Sequence, residues 1–101
     1  MKILKLFVLF SLLTATFSFG QKTAQDYNTS GLAKYKLQDN SGAIADFTKA
    51  IELEPDNAKA YYNRGSAKAA LKDLDGACLD WSKAGELGHS GAYDLIKQYC
   101  N

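Results

Sequence analysis

Apolar and small residues recur at three- and four-residue intervals through most of this chain, with polar residues between them. Ile44, Phe47, Ala50 and Ile51 trace one such face and Tyr61, Gly65 and Leu71 another; this is the spacing of helices that bury one side. The pattern predicts helices near residues 24–37, 40–53, 58–71 and 74–87, each of three to four turns, and no segment shows sustained strand alternation. Breaks fall between them: Asp39-Asn40-Ser41-Gly42 and Asp73-Leu74-Asp75-Gly76 read as tight turns with capping residues, and Pro55-Asp56-Asn57 stops one helix and caps the next.

The same pattern occurs twice. Tyr27, Gly31, Ala33, Lys34, Leu37, Asp39, Gly42, Ala43, Asp46, Lys49, Ala50, Glu52 and Leu53 return 34 positions later as Tyr61, Gly65, Ala67, Lys68, Leu71, Asp73, Gly76, Ala77, Asp80, Lys83, Ala84, Glu86 and Leu87. A fixed period of this length marks a repeat architecture. Gly31 and Gly65 each cost about 1 kcal/mol of helix propensity relative to Ala; a glycine kept at one register position in both copies predicts close helix contact.

After the second copy the period fails, because Gly88-His89-Ser90-Gly91 stands where Glu54-Pro55-Asp56-Asn57 stood. One further helix is expected near 91–100, with Ala92, Leu95, Ile96 and Tyr99 on one face to cover the open side of the second repeat. At the other end, Lys2 and Lys5 precede an apolar run from Leu6 to Phe19, and Ser18-Phe19-Gly20 places small residues where a signal peptidase reads them. Residues 1–20 are therefore expected to be a signal peptide cleaved before Gln21, since the run is shorter than the roughly 20 residues of a spanning helix and is diluted by Ser11, Thr14 and Thr16. Localisation follows as exported, periplasmic or secreted, with no stable membrane insertion after cleavage.

Residues 24–91 resemble the tetratricopeptide repeat (TPR) family. The resemblance rests on Tyr27, Gly31, Ala43-x3-Phe47, Ala50 and Pro55 in the first copy, and on Tyr61, Gly65, Ala77-x3-Trp81 and Ala84 in the second. Departures from the family pattern are Ser30 and Arg64 in place of Leu, Lys34 and Lys68 in place of Tyr, and His89 in place of Pro. The resemblance implies an all-α fold: a short right-handed α-solenoid of antiparallel helix pairs, with repeat one at 24–57, repeat two at 58–91 and a capping helix at 91–101.

It also implies binding of a protein or peptide on the concave face lined by the first helix of each pair. By position that lining is Asn28, Thr29, Leu32, Tyr35 and Lys36 in repeat one and Lys59, Tyr62, Asn63 and Ser66 in repeat two. Tyr35 and Tyr62 are the expected anchors, because amphipathic aromatics dominate interface energetics. The family's clamp for a C-terminal carboxylate needs Lys, Asn and Arg over three first helices. Here only Asn63 is suitably placed, while Asn28 and Leu32 stand where Lys and Asn are required, so that mode is not expected. Arg64, next to Asn63, occupies a position that faces the packing, with a stem long enough to reach the groove rim.

Charge narrows the partner class. Without Lys2 and Lys5, ten basic residues face eleven acidic ones, a net charge of −1 that disfavours nucleic acid or an anionic membrane. Asp46 with Lys49 and Asp80 with Lys83 are expected to be solvated pairs on outer helix faces. Phe47 and Trp81 are expected in the core, where large aromatics compensate for the small size of a mature chain of about eighty residues.

Two cysteines in an exported chain suggest pairing. Cys78 lies early in the second repeat's second helix and Cys100 at the end of the capping helix, so antiparallel packing predicts a Cys78–Cys100 disulfide. Alternatively Cys78 only packs, as Ile44 does at the matching position. No catalytic grouping of Ser, His and Asp is present, no glycine-rich phosphate loop occurs, and Cys78, His89 and Cys100 lack the close ligand spacing of structural zinc. The reading is a non-enzymatic adaptor or scaffold without metal or cofactor. Its alternative is a self-associating structural module of the cell envelope.

Overall fold

The computed structural model describes residues 20–101, which form five helices and no strand. They are α1 (Ala24–Lys36), α2 (Asn40–Leu53), α3 (Ala58–Ala70), α4 (Leu74–Glu86) and α5 (Gly91–Tyr99). The expected signal peptide lies outside the described residues apart from Gly20. No described helix is long and apolar enough to cross a membrane.

Each junction is built by local chemistry. Thr23 and Asp26 form a reciprocal capping box at α1: the Asp26 N–H donates to the Thr23 hydroxyl at 3.2 Å, and the Thr23 N–H donates to the Asp26 carboxylate at 2.8 Å. Asp39 and Asp73 cap α2 and α4 identically, each accepting the N–H of Gly42 or Gly76 at 3.0 Å. Asn57 caps α3 by accepting the Ala60 N–H at 2.9 Å. Between the paired helices the chain turns through Gln38 and Lys72, whose φ angles of 63° and 67° lie in the left-handed region. This residue lets the following N–H return to Lys34 or Lys68 and close the helix end.

Helices pack in sequence, α1 on α2, α2 on α3, α3 on α4 and α4 on α5, giving the all-α array of antiparallel pairs that the repeat predicts. The core is mostly alanine: Ala24, Ala43, Ala50, Ala60, Ala67, Ala77, Ala84 and Ala92 are buried. Two large side chains are wedged among them, Phe47 and Trp81, at 0% and 2% exposure. Small residues bring the helices close, so each aromatic needs a gap in the facing helix, which Gly31 and Gly65 provide. A Cβ on Gly31 would stand 2.6 Å from the Phe47 ring, and one on Gly65 would stand 2.7 Å from the Trp81 indole.

The recurring aspartates are not on the outer faces. Asp80 is 4% exposed and receives both Arg64 nitrogens Nε and Nη2 at 2.8 Å, with Lys68 Nζ at 3.0 Å. Asp46 accepts the Ser30 hydroxyl at 2.6 Å and pairs with Lys34 at 3.0 Å. Lys49 and Lys83 instead reach Glu52 and Glu86 across exposed helix surface. The inward placement of these aspartates has a geometric cause. Asp46 and Asp80 immediately precede Phe47 and Trp81 and lie three positions after Ala43 and Ala77, so the buried stripe of α2 and α4 carries them against α1 and α3.

A disulfide joins Cys78 to Cys100, with Cα atoms 5.8 Å apart, and fixes α5 to α4. Ala92 of α5 is buried, and Leu95 and Ile96 are half-buried against the cluster it forms with Ala77, Trp81 and Ala84.

Candidate functional site

The nine expected lining residues fall into distinct environments. Lys36 and Lys59 are exposed, and neither is ion-paired among the described residues. Thr29 is exposed with its hydroxyl donating back to the Gln25 carbonyl. Leu32 and Tyr35 are half-buried and pack on the cluster of Ala43, Phe47 and Ala67. Asn63 is half-buried without a side-chain hydrogen bond among the described residues.

Asn28 is 2% exposed, and its side-chain amide donates to the Asn57 side-chain Oδ1 at 3.2 Å, tying α1 to the cap of α3. Its own Oδ1 has no partner among the described residues. Tyr62 occupies the matching place in the second repeat. There the link is aromatic: its ring stacks on His89 with centroids 4.0 Å apart and planes 12° from parallel. His89 thus covers the turn from α4 into α5, where the first repeat has Pro55.

Tyr35 and Ser66 come together in one open cleft of about 310 Å³. Ala69 and Ala70 of α3, Leu74 and Trp81 of α4, and Leu95 and Tyr99 of α5 complete it. The Ser66 hydroxyl is already donated to the Tyr62 carbonyl at 3.2 Å, so the cleft presents chiefly apolar surface. The other seven expected residues are not part of its lining. A second, wider depression of about 720 Å³ lies on the far side of Leu74 and Tyr99, bounded by Leu79, Ile96 and the Cys78–Cys100 disulfide.

Sequence reasoning did not single out Ala69, Ala70, Leu74, Leu95 and Tyr99 as site residues. The available signal was subtraction between the two copies. Where α1 carries Tyr35 and Lys36, α3 carries Ala69 and Ala70, and the difference in volume is open space. Tyr99 falls 34 residues after Gly65, so the helix that would admit a third aromatic wedge presents a ring instead, 5.8 Å from Trp81 between centroids.

Arg64 belongs to the packing. Besides gripping Asp80, its Nη1 donates to the Thr48 hydroxyl at 3.3 Å across the repeat boundary, and its guanidinium lies 5.5 Å from the Tyr61 ring. The carboxylate holds the Arg64 pKa above its ordinary value against the opposing effect of burial. No group of three or more His, Cys, Asp or Glu among the described residues is arranged to hold a metal ion.

Compared with known families, residues 31–72 match the TPR repeat. That span runs from Gly31, which receives Phe47, to Lys72, the left-handed residue closing α3. No curated protein matches the chain.

Proposed function

We propose that this chain, whose residues 31–72 match the tetratricopeptide (TPR) repeat of a family that generally mediates binding to other proteins, is a small non-enzymatic adaptor that holds a segment of a partner protein along the face formed by α1, α3 and α5. The observation that carries this reading is the cleft between Tyr35, Ser66, Ala70 and Tyr99. It draws on all three first-position helices and presents chiefly apolar surface. Tyr35 supplies one wall, and Tyr62, stacked on His89, gives the neighbouring surface a second aromatic.

Export is part of the proposal. Lys2, Lys5, the apolar run Leu6 to Phe19 and the small residues Ser18 and Gly20 support a signal cleaved before Gln21. The Cys78–Cys100 disulfide fits an oxidising periplasmic or extracellular compartment. N-terminal sequencing of the purified protein should begin at Gln21; a start at Met1 refutes cleavage.

The adaptor reading is tested by crosslinking in the exported fraction, comparing the protein with a Tyr35→Ala, Tyr62→Ala variant of unchanged helicity. A partner captured by the former and lost by the latter is expected. The same partner on both forms places binding on another face. Self-association is the second reading, favoured by Leu79, 74% exposed beside the wider depression. A concentration-dependent mass by sedimentation equilibrium would support it.

A further inference from the structure

The helix that follows each repeat is held by different means in the two copies. After repeat one, α3 has thirteen residues, is capped by Asn57, and is tied back by the Asn28–Asn57 hydrogen bond to α1 and the Arg64–Thr48 hydrogen bond to α2. After repeat two, α5 has nine residues and no side-chain cap, and no ion pair involves it among the described residues. It reaches across to α4 through the Tyr93 hydroxyl, which donates to the Gly85 carbonyl at 3.2 Å from a ring that is 56% exposed. Ala92 is its one fully buried side chain. The repeat register shows what stands in for the missing ties. Ile44 packs on the cluster of Ala43, Phe47 and Ala67; at the matching position of repeat two stands Cys78, bonded to Cys100 just past the end of α5. An apolar contact has given way to a covalent one that a thiol can open.

That bond is within reach of solvent. Cys78 and Cys100 are both half-buried, and both line the open depression of about 720 Å³. A thiolate can approach either sulfur without prior unfolding, and accessible disulfides are the labile ones. Resistance to reduction also depends on how firmly the rest of the fold keeps the two sulfurs together once they are thiols. A nine-residue helix is marginal by itself in water, so each tie that α5 lacks makes the bond easier to open. Much depends on α5 staying docked. Leu95, Ile96 and Cys100 pack on the cluster of Ala77, Trp81, Ala84 and Ala92, and Leu95 and Tyr99 are one side of the cleft beside Tyr35 and Ser66.

We propose that the Cys78–Cys100 disulfide is a redox latch on the binding face: oxidised, it keeps α5 docked and the cleft complete; reduced by a thiol, it releases α5 and takes the cleft apart while α1 to α4 stay folded. A reductant thiolate attacks one sulfur, forms a mixed disulfide and expels the other cysteine as a thiolate. A second reductant thiol then displaces the remaining cysteine. In sum two thiols become one disulfide and pass two electrons and two protons to the cysteine pair. The consequence for binding rests on the adaptor reading: a partner held along α1, α3 and α5 is retained by the oxidised protein and let go by the reduced one.

Trp81 is the chain's single tryptophan, so its emission reports the docking of α5 directly. The purified protein is equilibrated without denaturant in mixtures of reduced and oxidised glutathione. Free thiols are counted by alkylation and mass spectrometry, Trp81 is followed by emission wavelength and acrylamide quenching, and amide exchange is mapped along the chain. Thiol release, a red shift of Trp81 and increased quenching should share one midpoint and reverse on reoxidation, with exchange in α1 and α2 unchanged. Tyr93→Phe removes the hydrogen bond to Gly85 from a largely exposed ring. It should move the midpoint about two- to tenfold toward oxidising mixtures, the worth of one hydrogen bond in docking the reduced helix.

A bond that glutathione opens only after denaturant is added would overturn the latch, as would reduction that leaves Trp81 emission unchanged. Loss of all five helices on reduction would do so too, by making the bond a staple of the whole fold, and an unmoved midpoint in Tyr93→Phe would refute the coupling to α5 docking. None of these readouts needs a partner. If the Tyr35→Ala, Tyr62→Ala variant loses no crosslinked protein, the adaptor reading fails and the latch stands. If a captured partner stays bound after α5 is released, the latch does not control binding and the proposal fails there.

Discussion

Arg64 holds Asp80 through both carboxylate oxygens at 2.8 Å, and this contact replaces the Ser30–Asp46 hydrogen bond found 34 residues earlier. The two sites share a design, in which an aspartate of the second helix receives a donor and a lysine from the first. They differ in how much charge is buried. Removing one member of a buried pair is far costlier than the pair's net contribution, because the remaining charge is left without compensation. Asp80→Ala should therefore destabilise by about 3 kcal/mol, leaving Arg64 and Lys68 opposed. Arg64→Ser preserves Asp80 with Lys68 and reproduces the first-repeat arrangement, so about 1 kcal/mol is expected. Urea unfolding of both variants decides the matter, and an equal or reversed order would show that packing of the Arg64 stem, not charge, holds the helices.

Acid should loosen the first repeat through Asp46. Burial pushes its pKa up, but hydrogen bonds from Ser30 and Lys34 and the Lys34 charge outweigh that, so the carboxyl sits below its ordinary 3.8. A group whose folded pKa is depressed contributes stability above its unfolded value and loses it as pH falls through the folded one. The contribution of Asp46 should be complete above about pH 4 and decline below it. Melting temperatures measured from pH 6 to pH 2.5 should fall less steeply for Ser30→Ala than for the wild type. Identical slopes would remove Asp46 from the acid response.

The five helices were legible because period and punctuation agreed, with capping residues at Asp39, Asn57 and Asp73 and apolar faces between them. Phe47 and Trp81 were legible as core, and Gly31 and Gly65 as close contacts, because each pair recurs in register. The burial of Asp46 and Asp80 was misread, since an Asp followed three residues later by Lys also fits a solvated helix surface. The informative sign lay in the partner helix: Ser30, Arg64, Lys34 and Lys68 are four of the five positions where this chain departs from the family pattern, and they bind these two aspartates. The cleft at Ala69 and Ala70 was hidden for a different reason, because absent side-chain volume leaves no residue to notice.

The disulfide should act locally as well as globally. It closes a sequence separation of 22 residues, for which chain entropy gives about 3 kcal/mol. α5 has only nine residues, and its N-cap Ser90 makes no side-chain cap bond, so packing, the Tyr93 hydroxyl donating to the Gly85 carbonyl at 3.2 Å and this disulfide hold it. In Cys78→Ser, Cys100→Ser protein, amide hydrogen exchange should accelerate across Ala92 to Tyr99 well before α1 and α2 respond. Uniform acceleration in all helices would mean that α5 does not open independently.

Gln38 and Lys72 occupy left-handed backbone, at φ 63° and 67°, where an L side chain costs about 1 kcal/mol or more. Glycine removes that strain but adds freedom to the unfolded chain, a loss of up to about 1 kcal/mol. A small net gain remains, because the helix-closing N–H bond of Asp73 to Lys68 is kept. Lys72→Gly should raise the melting temperature by a degree or more and Lys72→Ala should not. A fall with glycine would show that the Lys72 side chain makes a stabilising contribution larger than its backbone strain.

Gly65 sets two opposing effects against each other within a single helix. Alanine is the better helix former by about 1 kcal/mol, so on propensity alone Gly65→Ala should stabilise α3. The added methyl, however, would lie 2.7 Å from the Trp81 ring and 3.1 Å from the Ala77 carbonyl, and the second contact is backbone that cannot rotate away. Relief requires α3 and α4 to separate, which also loosens the Arg64–Asp80 contact between them. Overpacking of this kind costs about 1–3 kcal/mol, so the variant should be less stable despite its higher propensity. Gly65→Ala combined with Trp81→Leu tests the cause, because a smaller wedge leaves room for the methyl. In a double-mutant cycle the pair should be clearly less destabilising than the two single changes added together. Strict additivity would mean that Gly65 and Trp81 do not constrain one another and that the glycine is retained for some other reason.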